Sequence, residues 1–311
     1  MESVAKSNSK GCGFVRYVKT HIWLYLLFLP GALFFIIFKY VPMLGVVIAF
    51  QNYNPFQGFL GSPFVGLTHF KNFFIGPDFW MLLKNTLAIS LLNLIFYFPL
   101  PIIVSLLLNE IKSLGYKRVI QTLVYIPHFV SFVIVASLTY TLFNINNGIL
   151  HELLLNITGK SIDILASPEY FRGMIIGQSM WKETGYGTII FLAALSGVDM
   201  ELYEAAKVDG AGRWRLMWHI TLPAIRGTIV IMLILRVGSI LNTGYEQIYL
   251  MSNDLNRSVA EVFDTYVYTK GIIQGQYSYS TAVGLFKSVI SMIMVLGANK
   301  VAKMCGESGI Y

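Results

Sequence analysis

The residues of this chain that could do chemistry are few, and they sit inside apolar surroundings. One group is the run Gln178-Ser179-Met180-Trp181-Lys182-Glu183-Thr184-Gly185-Tyr186-Gly187. A second is Arg236, Ser239, Asn242 or Thr243, and Glu246, which recur every three or four residues and so share one face of a helix. An ionisable side chain within a bilayer costs ~2.5–3.5 kcal/mol on insertion scales, and such groups face a bundle interior or a water-filled cavity. The chemistry these types offer is recognition rather than bond-making. Asn, Ser and charged side chains can hydrogen-bond a hydroxyl-rich solute, and Trp181, Tyr186 and Tyr245 offer flat faces to its rings. The competing reading is interhelical glue, with Lys182 and Glu183 paired to Arg236 and Glu246 for assembly alone. The glycines of the first run suggest a loosened or broken helix along a cavity.

Catalytic and metal patterns are missing. The sequence holds no HExxH, no GxSxG and no Cys/His cluster. His21, His69, His128, His151 and His219 are scattered and read as satisfied or solvated side chains. Gly159-Lys160-Ser161 imitates the end of a phosphate-binding loop, but Leu154 occupies the first glycine position and no strand precedes it. Nucleotide chemistry is therefore expected on another chain, and no cofactor on this one. Cys12 and Cys305 lie near opposite ends, forming neither a disulfide framework nor a CxxC pair. Asn156-Ile157-Thr158 and Asn256-Arg257-Ser258 match the glycosylation pattern and read as chance.

The elements that position these groups follow from composition. Of 311 residues, 55% are hydrophobic and 13% charged, about half the usual charged share of roughly 25%. Lipid is the natural solvent for that excess. Six stretches reach the roughly 20 apolar residues a span needs: Ile22–Ala49, Leu82–Leu108, Val119–Phe143, Phe171–Leu195, Thr228–Tyr249 and Thr281–Val301. Barrel strands would alternate apolar and polar residues. The run Leu91-Leu92-Asn93-Leu94-Ile95-Phe96-Tyr97-Phe98 does not, so the expectation is an all-α polytopic membrane protein of six transmembrane helices. Pro30, Pro42, Pro99 and Pro101 are expected to kink spans one and two. Lys39 and Lys287 read as snorkelling or structural. The first apolar run is too long for a cleaved leader and reads as a retained span. Residues 1–20 form a tail, 21–305 the six-span domain and 306–311 a second tail.

Positive charge sets the orientation, because Lys and Arg favour cytoplasmic loops. With the N-terminus inside, the cytoplasmic segments hold Lys6, Lys10, Arg16 and Lys19, then Lys112, Lys117 and Arg118, then Lys207, Arg213, Arg215 and Arg226, and finally Lys300 and Lys303. The other side holds only Lys71, Lys84, Lys160, Arg172, Arg257 and Lys270. Both termini are therefore expected in the cytoplasm. The basic charges are spread over separate loops rather than one face, which excludes a nucleic-acid partner. The Tyr-rich stretch from Tyr266 to Tyr279 falls outside, where it could meet a delivery protein or form an aromatic belt.

The loop between spans four and five, residues 199–223, reads DMELYEAAKVDGAGRWRLMWHITLP. Asp199 can cap a helix that runs through Glu201, Glu204 and Lys207, with acids in its first turns. Asp209-Gly210-Ala211-Gly212 turns the chain, and a second short helix follows with Trp214, Met217, Trp218 and Ile220 on its apolar side, ending at Leu222-Pro223. This pattern, with Glu204, Ala205, Ala206, Gly210, Ile220, Leu222 and Pro223 at its fixed positions, resembles the signature of permeases of type I binding-protein-dependent ABC importers. Asp209, Ala211 and Trp214 resemble the sugar-importing branch. Phe38-Lys39-Tyr40-Val41-Pro42-Met43 and Asn242-Thr243-Gly244-Tyr245-Glu246-Gln247 look like the subgroup for complex oligosaccharides derived from polysaccharides.

The resemblance implies a type I ABC importer permease fold in a bacterial plasma membrane, with loop 199–223 as coupling helices in a cleft of a separate ATPase. Glu204 would contact that subunit, Ala205 and Ala206 would permit close approach, and Gly210 would make the turn. It further implies two ATPases carrying ATP and Mg, a second and different permease chain, an external solute-binding protein and a carbohydrate substrate. The solute contacts would fall in spans four and five. An ion-coupled secondary transporter would instead need an internal repeat or several buried acids, and the spans offer only Glu183 and Glu246. A permease for a non-sugar solute is the nearer alternative.

Overall fold

The computed structural model describes Tyr17, residues 20–307, Gly309 and Ile310. Cys12 and the basic residues Lys6, Lys10, Arg16 and Lys19 of the expected tail lie outside the described residues. Nearly all regular structure is helical, and the sole pairing of extended backbone among the described residues is a bridge between Gln51 and Phe64.

Three helices are each long and apolar enough to cross a bilayer: α1 (Ile22–Phe50), α2 (Asp78–Glu110) and the C-terminal α9 (Tyr277–Met304). Two further stretches pass as bent pairs. Leu114–Phe129 (α3) and Phe132–Leu142 (α4) meet at 96°, whereas Arg213–Ala224 (α7) and Arg226–Gly238 (α8) meet at 59°. Between these pairs, α5 (Pro168–Ser196) runs for 29 residues, long enough to span but interrupted in composition by its polar run. The single smooth helix expected over Val119–Phe143 is thus a sharply bent pair, broken at Val130 and Ser131, whose extended backbone follows the tighter turn holding Pro127 and where Ser131 caps α4 by accepting from the Ile134 N–H.

Three prolines, in α1, α2 and α7, act through a specific device. Before Pro42, Pro99 and Pro223 the backbone widens into single π-turns at Ile36–Tyr40, Asn93–Tyr97 and Met217–Thr221. In each, the N–H just ahead of the proline or its neighbour reaches five residues back: Val41 to Ile36, Phe98 to Asn93, Leu222 to Met217. The wider turn makes room for a ring that would otherwise clash with the carbonyl one turn earlier. Pro30, by contrast, lies inside a helix that continues past it.

The core is a set of apolar contacts around α5. Phe171, Ile175 and Ile176 pack with Ile89, Ile248, Met251 and Val262 at one end, and Phe191 and Leu195 pack with Leu106 and Ile225 at the other. A third cluster joins Phe73, Leu82, Leu241, Phe263, Tyr266 and Val283. None of the residues from Ile22 to Met43 in α1 is buried. That face demands lipid or another chain to cover it.

Span four is not broken. Its glycines serve packing: a Cβ on Gly185 would lie 2.0 Å from the Val124 carbonyl oxygen and 3.0 Å from the Tyr125 Cα, so the backbones of α5 and α3 are in direct contact there. Span five is broken instead. Helix α8 ends at Gly238, residues 239–244 run as turns and irregular backbone, and a short helix, Tyr245–Met251, resumes after Gly244. The helical spacing read for Arg236, Ser239, Asn242 and Glu246 therefore does not extend through the stretch.

Candidate functional site

A cavity of about 280 Å³ opens where α2, α5, α8 and the irregular segment converge. From span five it is lined by Arg236, Ser239, Asn242 and Thr243, and from α5 by Ser179 and Glu183. Helix α2 contributes Ser90, Asn93 and Tyr97, one or two turns apart on one face. Phe132 of α4 closes one side.

Breaking the helix is what puts Asn242 and Thr243 in the cavity wall. The freed backbone is re-satisfied locally, as irregular backbone at membrane depth requires. Ser90 donates to the Ile240 carbonyl. The Thr243 N–H donates to Asp264 at 3.1 Å, and Asp264 is in turn ion-paired with Lys287. Lys287 is thus structural, as its sequence context suggests. The following helix is pinned to α5 by amides: Gln247 donates to the Ile175 carbonyl (2.8 Å) and to Gln178 (3.0 Å), Gln178 donates to Thr139 (2.8 Å), and Ser179 donates to Gln247 (3.2 Å).

The charged groups are arranged unevenly. Glu183 bonds Lys182 at 3.0 Å and His128 at 2.9 Å. Lys182, only 6% exposed, also donates to the His128 carbonyl at 2.8 Å. His128 sits at the bend between α3 and α4 and stacks on Tyr186 with ring centroids 4.2 Å apart. The Lys182–Glu183 pair therefore locks span three onto span four, and neither residue pairs with Arg236 or Glu246 among the described residues. The Arg236 guanidinium lies over the Tyr97 ring, 5.1 Å from its centroid.

Of the residues singled out from sequence, Ser179, Glu183, Arg236, Ser239 and both Asn242 and Thr243 meet at this cavity. The rest do not line it. Trp181 is 51% exposed on another face of α5; Lys182 is buried behind Glu183; Tyr186 stacks on His128. Tyr245 joins an aromatic group with Tyr249 and Tyr268, and Glu246 is exposed. Ser90, Asn93 and Tyr97 were missed. Asn93 and Ser90 are the sole amide and hydroxyl within the apolar stretch Leu87–Phe96, a legible signal.

The loop 199–223 forms two helices at the surface. Asp199 caps Met200–Val208 (α6) by accepting from the Glu201 N–H at 2.9 Å. Gly210, at φ 77°, then reverses the chain, with the Gly210 N–H on the Lys207 carbonyl (3.0 Å) and the Ala211 N–H on the Ala206 carbonyl (2.9 Å). This paired closure satisfies the last carbonyls of the helix and needs the left-handed conformation that glycine adopts freely. Tyr203 bonds Thr221 at 3.0 Å and clamps α6 to α7. Glu204, Ala205 and Asp209 are exposed. So are Trp214 and Trp218, at 74% and 61%, together with Met200, Leu202 and Val208. Ile220 and Leu222 turn inward, and Pro223 precedes the bend into α8. Exposed Trp and Leu beside a free carboxylate make a surface suited to contact. Arg226, just beyond the bend, pairs with Glu307 at 2.5 Å, holding the C-terminal segment on the same side as the loop.

Comparison with known proteins agrees with this architecture. The family described as "Binding-protein-dependent transport system inner membrane component" matches residues 98–303. The chain is 55% identical over 318 residues to Protein LplB of Bacillus subtilis (strain 168), covering all of both chains. It is also 55% identical over 289 residues to the polygalacturonan/rhamnogalacturonan transport system permease protein YteP of the same organism, covering 93% of this chain and 90% of that one. Among solved structures, a chain of a bacterial alginate ABC transporter in complex with an alginate pentasaccharide-bound periplasmic protein superposes with a TM-score of 0.87 at 38% identity, covering 95% of this chain and 99% of that chain. Full-length identity, common fold and the matched helical region together make this chain a member of the binding-protein-dependent transport system inner membrane components, a multi-pass membrane family of ABC permeases.

Proposed function

We propose that this chain is the permease subunit of an ATP-driven importer that moves an oligosaccharide, delivered by an external solute-binding protein, into the cytoplasm. The observation that carries this reading is the polar cavity built from α2, α5, α8 and the broken segment 239–244, set among the long apolar helices. Its amide, hydroxyl and guanidinium groups suit a hydroxyl-rich solute. The relatives' names support the solute class: one is a polygalacturonan/rhamnogalacturonan permease, and the alginate transporter imports an acidic polysaccharide.

The chemistry of ATP belongs to a separate pair of ATPase subunits, which hold the nucleotide and Mg. Loop 199–223 is the element that docks there. Glu204 and the exposed Trp214 and Trp218 make the contact, and the Tyr203–Thr221 clamp transmits movement into α8. A second, different permease chain covers the bare outer face of α1 and closes the cavity. The loop, its basic residues and both termini lie in the cytoplasm; the Arg226–Glu307 pair supports this for the C-terminus. Closure of the ATPases opens the cavity outward, and hydrolysis resets it.

The test is uptake of a labelled oligosaccharide panel by the complete complex in proteoliposomes, with ATP inside and the binding protein outside. ATP-dependent accumulation of at least one member is expected. No uptake of any saccharide, alongside ATP-dependent uptake of a non-sugar solute, would replace the substrate class.

A further inference from the structure

The cavity carries an unneutralised positive charge. Glu183 faces it, but its oxygens are taken up by Lys182 and His128. Asp264, which reaches the cavity wall through the Thr243 N–H, is paired with Lys287. Arg236 has no carboxylate partner among the described residues. Its guanidinium lies over the Tyr97 ring, 5.1 Å from the centroid, a cation–π contact that uses the charge and none of the N–H donors.

Two residues of the cavity wall also carry buried side-chain oxygens without partners. Asn93 Oδ1 and Thr243 Oγ1 are both buried with no hydrogen bond, in residues only 6% and 9% exposed, and both residues line the same cavity as Arg236. Buried polar atoms are almost always satisfied, so two orphans in one cavity wall mark unused hydrogen-bonding capacity there, the Asn93 amide oxygen as an acceptor and the Thr243 hydroxyl as donor or acceptor. A planar cationic fork that matches a carboxylate, flanked by acceptors for hydroxyls, fits a sugar ring bearing a carboxylate.

We propose that Arg236 reads the carboxylate of a uronic-acid-type sugar residue in the cavity, which makes an acidic oligosaccharide the substrate class of this permease. The proposal rests on the solute-path reading above and adds to it a charge preference and the residue that sets it.

The experiment compares trigalacturonate with its fully methyl-esterified form, measured as uptake per assembled complex in proteoliposomes with the binding protein present. The wild type and the Arg236→Gln and Arg236→Lys variants are each tested. The binding protein is common to all arms, so its own preference cancels when acid-to-ester ratios are compared between variants. Arg236→Gln is expected to lower that ratio about tenfold or more, the scale of one charge-assisted hydrogen-bonded contact. Arg236→Lys should keep the charge, lose the fork and fall between. An unchanged ratio, or an equal loss for acid and ester, would overturn the proposal and leave Arg236 a helix-packing residue. If the wild type carries the ester but not the acid, the path reading stands and the charge preference is wrong. If it carries neither, the charge proposal fails, and the path reading stands or falls separately on the oligosaccharide panel.

Discussion

The contact between spans three and four can be tested at Gly185. An alanine there would place its Cβ 2.0 Å from the Val124 carbonyl oxygen and 2.6 Å from its carbon, where ordinary contact begins near 3.4 Å. The obstructing atoms are backbone, so no rotamer change relieves the clash, and α5 must move away from α3 by about an ångström. Overpacking of this kind costs about 1–3 kcal/mol, and the backbone obstruction places this case at the upper end. For a chain of 311 residues, that corresponds to a fall in unfolding midpoint of roughly 4–5 °C. The displacement also pulls Glu183, carried on α5, away from His128 at the end of α3. The assay is thermal unfolding of the purified complex in detergent, followed by size-exclusion. Gly177→Ala is the control: it lies on the same helix with nothing within 4 Å of the added methyl, and alanine is the better helix former. If Gly185→Ala melts with Gly177→Ala and the wild type, the direct backbone contact is wrong.

Three further outcomes follow from the structure. Glu204→Lys should reduce transport and binding-protein-stimulated ATP hydrolysis roughly thirtyfold, on the scale of about 2 kcal/mol for a reversed interface charge, while the chain still inserts; uptake assays and membrane fractionation check both parts. Asn242→Ala should lower transport per assembled complex severalfold, whereas Trp181→Ala, which points away from the cavity, should leave it near wild type; equal effects would move the path to another face of α5. Asp264→Asn should strip Lys287 of its partner and the Thr243 N–H of its charged acceptor, costing about 3 kcal/mol. The Asp264→Leu, Lys287→Met double variant should recover much of that in the same melting assay.

Much of the architecture is written in local patterns. Apolar length gives α1, α2 and α9, and the Asp199 cap and the Gly210 turn give the surface helix pair, because capping and left-handed turns depend on residues within a few positions. The irregular segment was less legible. Arg236, Ser239 and Asn242 keep a helical spacing by chance, although the glycines at 238 and 244 bracket the break. The glycines of α5 look like helix breakers from sequence alone. Only the position of Val124, some sixty residues earlier, shows that Gly185 is there for contact. His128 and Glu183 are 55 positions apart, and Asn93 reaches the cavity from a different span. Pairings of that kind come from the packing of helices, which no local window contains.

The central claim is that the cavity at Asn242 is the solute path and that ATP on the partner subunits operates it. Asn242→Cys in a chain with Cys12→Ser and Cys305→Ser gives one thiol at the cavity wall. Its rate of modification by a membrane-impermeant reagent added from outside is measured in the complete complex, without nucleotide and after trapping with ATP and vanadate. The account predicts slow labelling without nucleotide, labelling faster by an order of magnitude or more in the trapped state, and protection by the transported saccharide. Equal rates in both states, with no protection, would contradict it.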